Sequence, residues 1–258
     1  MPESHDLGLT YFPAAGDPTV ARPAVLVLPG GGYGKTSAHE AEPVGEWLAG
    51  LGIHAFVLHY RVAPHTHPAP LLDAKEAMLQ IRGGVHGLAV DTARVGVLGF
   101  SAGGHLAATL STAVPCGDSR LDVLDAVPAL SILCYPVVSF THSAHQGSID
   151  NLLGPSPSSD LLKMMSPELN VSAATPPAFL WHTADDEAVP VQNTYAYAGA
   201  LAQQGVSAEV HVFPHGRHGL GLARDEAEPA QWTALCAQWL AGQGWADLLD
   251  APSRRSAM

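Results

Sequence analysis

The chain has 258 residues, 47 % of them hydrophobic, with 12 basic against 24 acidic side chains and a formal net charge of −12. That length and apolar content suit one α/β domain with ample core material. The acidic balance, without any run of Lys or Arg, argues against nucleic acid or an anionic membrane surface as a partner.

Residues 1–6 lack a basic region followed by an apolar stretch, and no apolar run reaches membrane length, so the expectation is a cytoplasmic chain with no signal peptide. The apolar run 24–28 predicts a buried strand, 43–51 a helix and 53–58 the next strand. Prolines mark 65–70, with Pro64 just before it, as loop, ahead of a helix over 71–85. A strand over 95–100 and a helix from 104 to 110 follow, then a strand over 130–135. The segment 139–177 is rich in Ser, Pro, Gly and His, with one short helical stretch near 161–165. It follows a strand at the C-terminal edge of the sheet, where ligands bind in α/β folds, and reads as a small cap or insertion. A passive surface excursion is the alternative. Strands at 178–182 and 208–213 flank a helix over 191–204, and a last helix runs over 226–241. Near-continuous apolar strands alternating with helices predict a mostly parallel central sheet covered on both faces, in a single domain over 1–258. Cys116, Cys134 and Cys236 are odd in number and widely spaced, which predicts buried free thiols.

The chemistry concentrates in three loops. Gly99-Phe100-Ser101-Ala102-Gly103 joins a strand to a helix and forms a G-x-S-x-G elbow in the context that motif requires. So tight a turn strains the serine backbone, lifts its hydroxyl clear of the sheet and leaves no room for side chains at the flanking glycines. A serine hydroxyl needs a base, and the base needs an orienting acid. The loop after strand 178–182 offers Asp185, Asp186 and Glu187; a D-x-x-V-P pattern, with Val189 and Pro190 folding the loop back, selects Asp186. The loop after strand 208–213 offers His215 and His218; Gly216 and Gly219 leave room for a turn around His218. An oxyanion needs two donors. Ala102 N–H supplies one, and the glycine loop Pro29-Gly30-Gly31-Gly32 supplies the other through Gly31 or Gly32. His65, His67, His211, His215 and His218 lack a Cys or carboxylate partner set at ligand spacing, so no metal is expected.

The combination resembles the α/β-hydrolase-fold serine esterases, in the acetyl esterase and acetyl-xylan-esterase-like branch near the hormone-sensitive-lipase-like carboxylesterases. The segments that carry it are LPGGGYG at 28–34, YRVAP at 60–64, DAKEAM at 73–78, GFSAGGHLA at 99–107, SPELNV at 166–171, PPAFLWHTADDEAVPV at 176–191 and FPHGRHGLG at 213–221. The resemblance implies Ser101 as nucleophile, Asp186 as acid and His218 as base, with Gly31, Gly32 and Ala102 around the oxyanion. It implies hydrolysis of short acyl esters, acetyl above all, on a small-molecule substrate with acetylated carbohydrate as one candidate, and no cofactor. Pro29 stands where the lipase-like relatives carry His, which favours the acetyl-esterase branch. Little precedes Leu9, so the first of the usual eight strands is expected to be trimmed. An amidase or peptidase on the same fold, or a binding protein without turnover, are the rival readings. Arg61 is expected to pair with Asp73, with a substrate role as the alternative. Asp91 and Arg94 read as turn and capping residues. Tyr33, beside the glycine loop, either lines the substrate pocket or fills the core.

Overall fold

The computed structural model describes residues 7–84 and 86–246. Among them the apolar runs become seven strands: β1 (Leu9–Phe12), β2 (Arg22–Leu28), β3 (His54–Leu58), β4 (Val90–Phe100), β5 (Ser131–Cys134), β6 (Ala178–Thr183) and β7 (Ala208–Phe213). They form one sheet in the order β1-β3-β2-β4-β5-β6-β7, with β1 antiparallel to β3 and the other pairs parallel. The connecting helices are α1 (Glu42–Gly50), α2 (Ala69–Gly83), α3 (Ala102–Ser111), α4 (Gln146–Leu153), α5 (Ser159–Met164), α6 (Gln192–Gln203) and α7 (Trp232–Gly242).

Helices cover both faces of the sheet, which is why the central strands read as unbroken apolar runs. Along β4, Val95 and Val97 point to one face while Leu98 and Phe100 point to the other. The first face packs on α2, α3 and α6 through Leu71, Ala74, Met78, Leu106, Leu110, Tyr197 and Leu201. The second packs on α1 and α7 through Val44, Leu48, Trp232, Cys236 and Leu240. Every residue of α3 is buried, so its small and apolar positions are not confined to one stripe, and its polar side chains His105, Thr109 and Ser111 are hydrogen-bonded inside the fold. The three cysteines are free and buried.

From β2 the chain runs outward to β3, then crosses back to β4 on the other side of β2. The order therefore reverses between β2 and β4, and the loops leaving these two strands splay from one crevice. Leu28 pairs with Gly99 at that end, so the glycine loop and the serine elbow lie side by side.

Several boundaries differ from the sequence reading. Helix α2 starts at Ala69, inside the stretch read as loop, because Pro70 falls in the first turn, where a proline is tolerated. Its expected end at Val85, like the signal-peptide reading of residues 1–6, lies outside the described residues. Pro229 opens a short 3-10 turn, and α7 begins at Trp232, later than expected. Between β5 and β6 the single expected helix is joined by a second, α4, whose N-cap is His145. The Arg61–Asp73 pair forms, with guanidinium and backbone N–H both donating to the carboxylate. Asp91 caps its turn through Ala93 N–H and pairs with Arg94.

At the elbow the glycines have no substitute. A Cβ on Gly99 would lie 2.2 Å from the Gly103 carbonyl oxygen, and one on Gly103 would lie 2.0 Å from that of Leu28. At Gly199 in α6, by contrast, a Cβ would meet nothing within 4 Å. Gly103→Ala is therefore expected to destabilise the protein by about 1–3 kcal/mol or more, while Gly199→Ala stabilises it by about 0.5–1 kcal/mol. Denaturant unfolding of the two variants checks both; a Gly103→Ala protein as stable as the parent contradicts the packing described.

Candidate active site

Ser101 leaves the end of β4 at φ 52° and ψ −117°, a conformation costing on the order of 1–3 kcal/mol for a residue with a side chain. The next strand's backbone holds it there. Ser101 N–H donates to the Cys134 carbonyl at 3.0 Å, and the Ser101 carbonyl accepts from Val137 N–H at 3.0 Å. Its hydroxyl stands 2.8 Å from Nε2 of His218. Nδ1 of His218 stands 2.6 Å from Oδ2 of Asp186. With Nδ1–H facing a carboxylate, Nε2 is left unprotonated to accept the serine hydroxyl. The three side chains singled out from the sequence thus meet in one line.

Asp186 is almost fully buried. Its Oδ1 accepts the N–H groups of Ala188 and Val189, each at 2.9 Å, which coils the D-x-x-V-P loop around the carboxylate. Buried His182 comes within 3.3 Å of Oδ2 through Nε2, which also donates to the Val189 carbonyl. Burial pushes the carboxyl pKa up, but the bonds from His182, His218 and Val189 N–H outweigh it and hold the group well below the ordinary carboxylate range. Asp185 and His215, the competing pair, face each other outside the site at 2.9 Å, both exposed. Asp185 also accepts Gly216 N–H, so this outer pair ties the acid and histidine loops together.

The glycine loop lies against the elbow. Gly30 has no space for a side chain: a Cβ there would lie 3.0 Å from that of Ser101. Gly30 N–H donates to Oε2 of Glu40 at 2.9 Å and is thereby occupied. The N–H groups of Gly31, Gly32 and Ala102 meet no acceptor among the described residues. Gly31 and Gly32 border the same cleft as Ser101 and His218. All three remain available as donors at the serine, Gly31 and Gly32 on equal terms.

Glu40 is a further member of the site that carries no signature in the sequence. Only 2 % exposed, its carboxylate takes Gly30 N–H on one oxygen and the Tyr135 hydroxyl, at 2.6 Å, on the other. Burial and the Glu40 charge raise the Tyr135 phenol well above its ordinary pKa, so it keeps its proton. Tyr135 also accepts Gly221 N–H at 2.7 Å and sets its ring edge-on to His218 at 5.0 Å. The unit Gly30–Glu40–Tyr135–Gly221 therefore joins the glycine loop to the histidine loop. Tyr135 is itself at φ 36°. These residues lie 10, 95 and 86 positions apart in the respective bonds, beyond any motif.

Tyr33 does not face the cleft. Its ring is 1 % exposed and edge-on to Tyr60 and His105. Its hydroxyl meets Nδ1 of His105 at 2.8 Å, whose pKa burial pushes down to about 4. This corrects the pocket-lining expectation in favour of the core-filling one, because the neutral imidazole satisfies the phenol inside the fold.

The cleft beside Ser101 has a volume of about 390 Å³. Its walls are glycines and polar side chains: Ser37, His39, Glu40, His145, Asn151 and His218, with the serine itself. Among the described residues no aliphatic or aromatic hydrocarbon side chain borders it. Among the described residues no cluster of three or more His, Cys, Asp or Glu is arranged to hold a metal ion, and no helix is long and apolar enough to cross a membrane.

Comparison with known proteins places this arrangement in a family. The BD-FAE family model matches residues 10–201. The chain is 35 % identical over 214 residues to endo-1,4-beta-xylanase B of Butyrivibrio fibrisolvens, covering 80 % of this chain and 34 % of that one. It is 34 % identical over 205 residues to the acetylxylan esterase of Xylanibacter ruminicola, covering 77 % and 41 %. It thus spans well under half the length of these curated relatives. The solved structure of an acetyl ester-xyloside bifunctional hydrolase from Caldicellulosiruptor lactoaceticus is 47 % identical and superposes with a TM-score of 0.86, covering 92 % of this chain and 89 % of that one. By its sheet order, its serine elbow and these matches, the chain has the α/β-hydrolase fold and belongs to the BD-FAE family.

Proposed function

We propose that this protein is a serine carboxylesterase that hydrolyses short acyl esters, acetyl above all, of hydroxylated alcohols such as sugars. The observation that carries the reading is the continuous line from Asp186 through His218 to Ser101, at 2.6 and 2.8 Å. Nε2 of His218 takes the hydroxyl proton as Oγ attacks the ester carbonyl. The oxyanion that forms is met by Ala102 N–H and by Gly31 or Gly32, each such donor worth about 3–4 kcal/mol in the transition state. The imidazolium, steadied by Asp186, then hands its proton to the departing alkoxide, and an acyl-enzyme remains. Water enters, gives a proton to His218 and adds to the acyl carbon; collapse returns that proton to Ser101 and releases the acid.

The wall chemistry supports the substrate class. A long acyl chain gains about 0.8 kcal/mol per buried methylene in an apolar slot, and the cleft beside the serine offers polar groups and glycines instead. The segment 139–177 serves in this reading as a small cap, since α4 and its N-cap supply His145, Gly147 and Asn151 to the cleft.

Initial rates on p-nitrophenyl esters of graded chain length, with matched anilides, test the proposal. Activity is expected to be highest with acetyl and to fall at least about tenfold beyond four carbons, with anilides far slower. A preference for long chains or for amides contradicts it.

Asp186→Asn is expected to lower kcat by about 10³–10⁴-fold, because an amide facing Nδ1 favours the wrong imidazole tautomer. The acid also makes a pH-dependent contribution to stability. Its native pKa is depressed below the ordinary 3.8, so the contribution is complete above about pH 5 and is lost as pH falls through the native value. The stability difference between the parent and Asp186→Asn is accordingly expected to be flat from about pH 5 to 8 and to shrink below about pH 4. Denaturant unfolding across that range reads it.

A further inference from the structure

His145 and Asn151 are among the polar side chains of the cleft that have no part in the acyl transfer described above. They belong to α4 and its cap and line the cleft together with His39 and Glu40. His145 is half-buried against the glycine loop; a methyl group at Gly32 would lie 3.7 Å from its Cε1.

The hydrogen bonds of the two residues fix what each offers to the cleft. Nδ1 of His145 lies 3.1 Å from Ser148 N–H and 2.9 Å from the Ser148 hydroxyl. A backbone N–H only donates, so Nδ1 is the acceptor, even though the same N–H also reaches the His145 carbonyl at 3.0 Å. The neutral ring then carries its proton on Nε2, which meets no partner among the described residues. Burial lowers the His145 pKa and favours that neutral form. Asn151 is fixed by the converse argument. Its Nδ2 donates to the Gly32 carbonyl at 2.9 Å, which assigns the amide and leaves Oδ1 as an acceptor without a partner among the described residues. Two residues lining the cleft thus hold, among the described residues, an unpartnered donor and an unpartnered acceptor.

An alkyl or aryl alcohol can use neither. A hydroxyl group beside the ester uses both, since it donates and accepts. We propose that His145 and Asn151 form an alcohol-side subsite that binds a free hydroxyl of a polyhydroxylated substrate, and that His145 Nε2–H is its specificity-determining donor. The proposal rests on the esterase reading and adds the residues that select the alcohol. Asn151 also anchors the glycine loop through the Gly32 carbonyl.

The test compares kcat/KM for an O-acetylated methyl β-xyloside bearing free hydroxyls with that for phenyl acetate. His145→Asn keeps a side chain able to cap α4 but is too short to place a donor where Nε2–H stands. Its xyloside-to-phenyl ratio is expected to fall about tenfold or more, because a site built for a hydroxyl discriminates strongly once its partner is lost. His145→Gln, which can return an N–H near that position, is expected to recover part of the ratio. Thermal unfolding of each variant is recorded alongside. A ratio within about twofold of the parent in His145→Asn overturns the subsite, and so do rates on both esters that fall together, with or without lost stability. A parent enzyme that cleaves phenyl acetate but ignores the acetylated xyloside also overturns the subsite, while leaving the esterase reading in place. A parent that cleaves neither ester ends the esterase reading and the subsite with it.

Discussion

Everything at the site depends on a backbone that Ser101 could not adopt alone. Its left-handed turn is an unfavourable conformation for any residue with a Cβ. It persists because three independent backbone bonds clamp the serine, two of them to the strand and loop of β5 and one to the turn of α3. The clamp needs the chain to pass within contact of itself at Gly99 and Gly103. Those contacts in turn require β2 and β4 to be neighbours, since the atom Gly103 approaches is the carbonyl of Leu28. The strand order and the strained turn are therefore one constraint seen at two scales.

The loops around this fixed point are tied to one another by polar contacts, while Tyr33, Val189 and Leu220 anchor them in the core. Glu40 and Tyr135 bridge the glycine and histidine loops from beneath, and Asp185 with His215 bridges the acid and histidine loops from outside. His39 adds a bond to the Gly219 carbonyl. Buried carboxylates are tolerated at Glu40 and Asp186 because each oxygen of each has a donor. Such networks are sensitive to geometry, which suits a site where a displacement of about 1 Å lowers rates by about 10²-fold.

The central strands and the elbow were legible in the sequence because their constraints are local. Strands buried on two faces leave unbroken apolar runs, and a turn that excludes Cβ atoms leaves glycines at fixed offsets around Ser101. Asp186 and His218 could be chosen over their neighbours because the loop chemistry that positions them, Val189-Pro190 and Gly216 with Gly219, lies within a few residues. Glu40, Tyr135 and His182 were not legible, since each is defined by partners from other elements and looks in sequence like an ordinary helix-start acid, strand-end aromatic or strand histidine. Tyr33 shows the same limit from the other side: an aromatic beside a glycine loop has one sequence signature for core and pocket alike, and only His105, 72 residues away, decides. Helix α4 carries little sequence signal because it is short and its apolar positions are few, and its start is marked by His145 rather than by a common cap residue.

Hydrolysis at this site requires an activated hydroxyl at Ser101. Reaction with a fluorophosphonate probe, followed by peptide mass mapping, measures that activation directly. The geometry predicts a single phosphonylated residue, Ser101, whose labelling is lost when His218 is replaced by Ala. Labelling at another serine, or none on the folded protein, would contradict it.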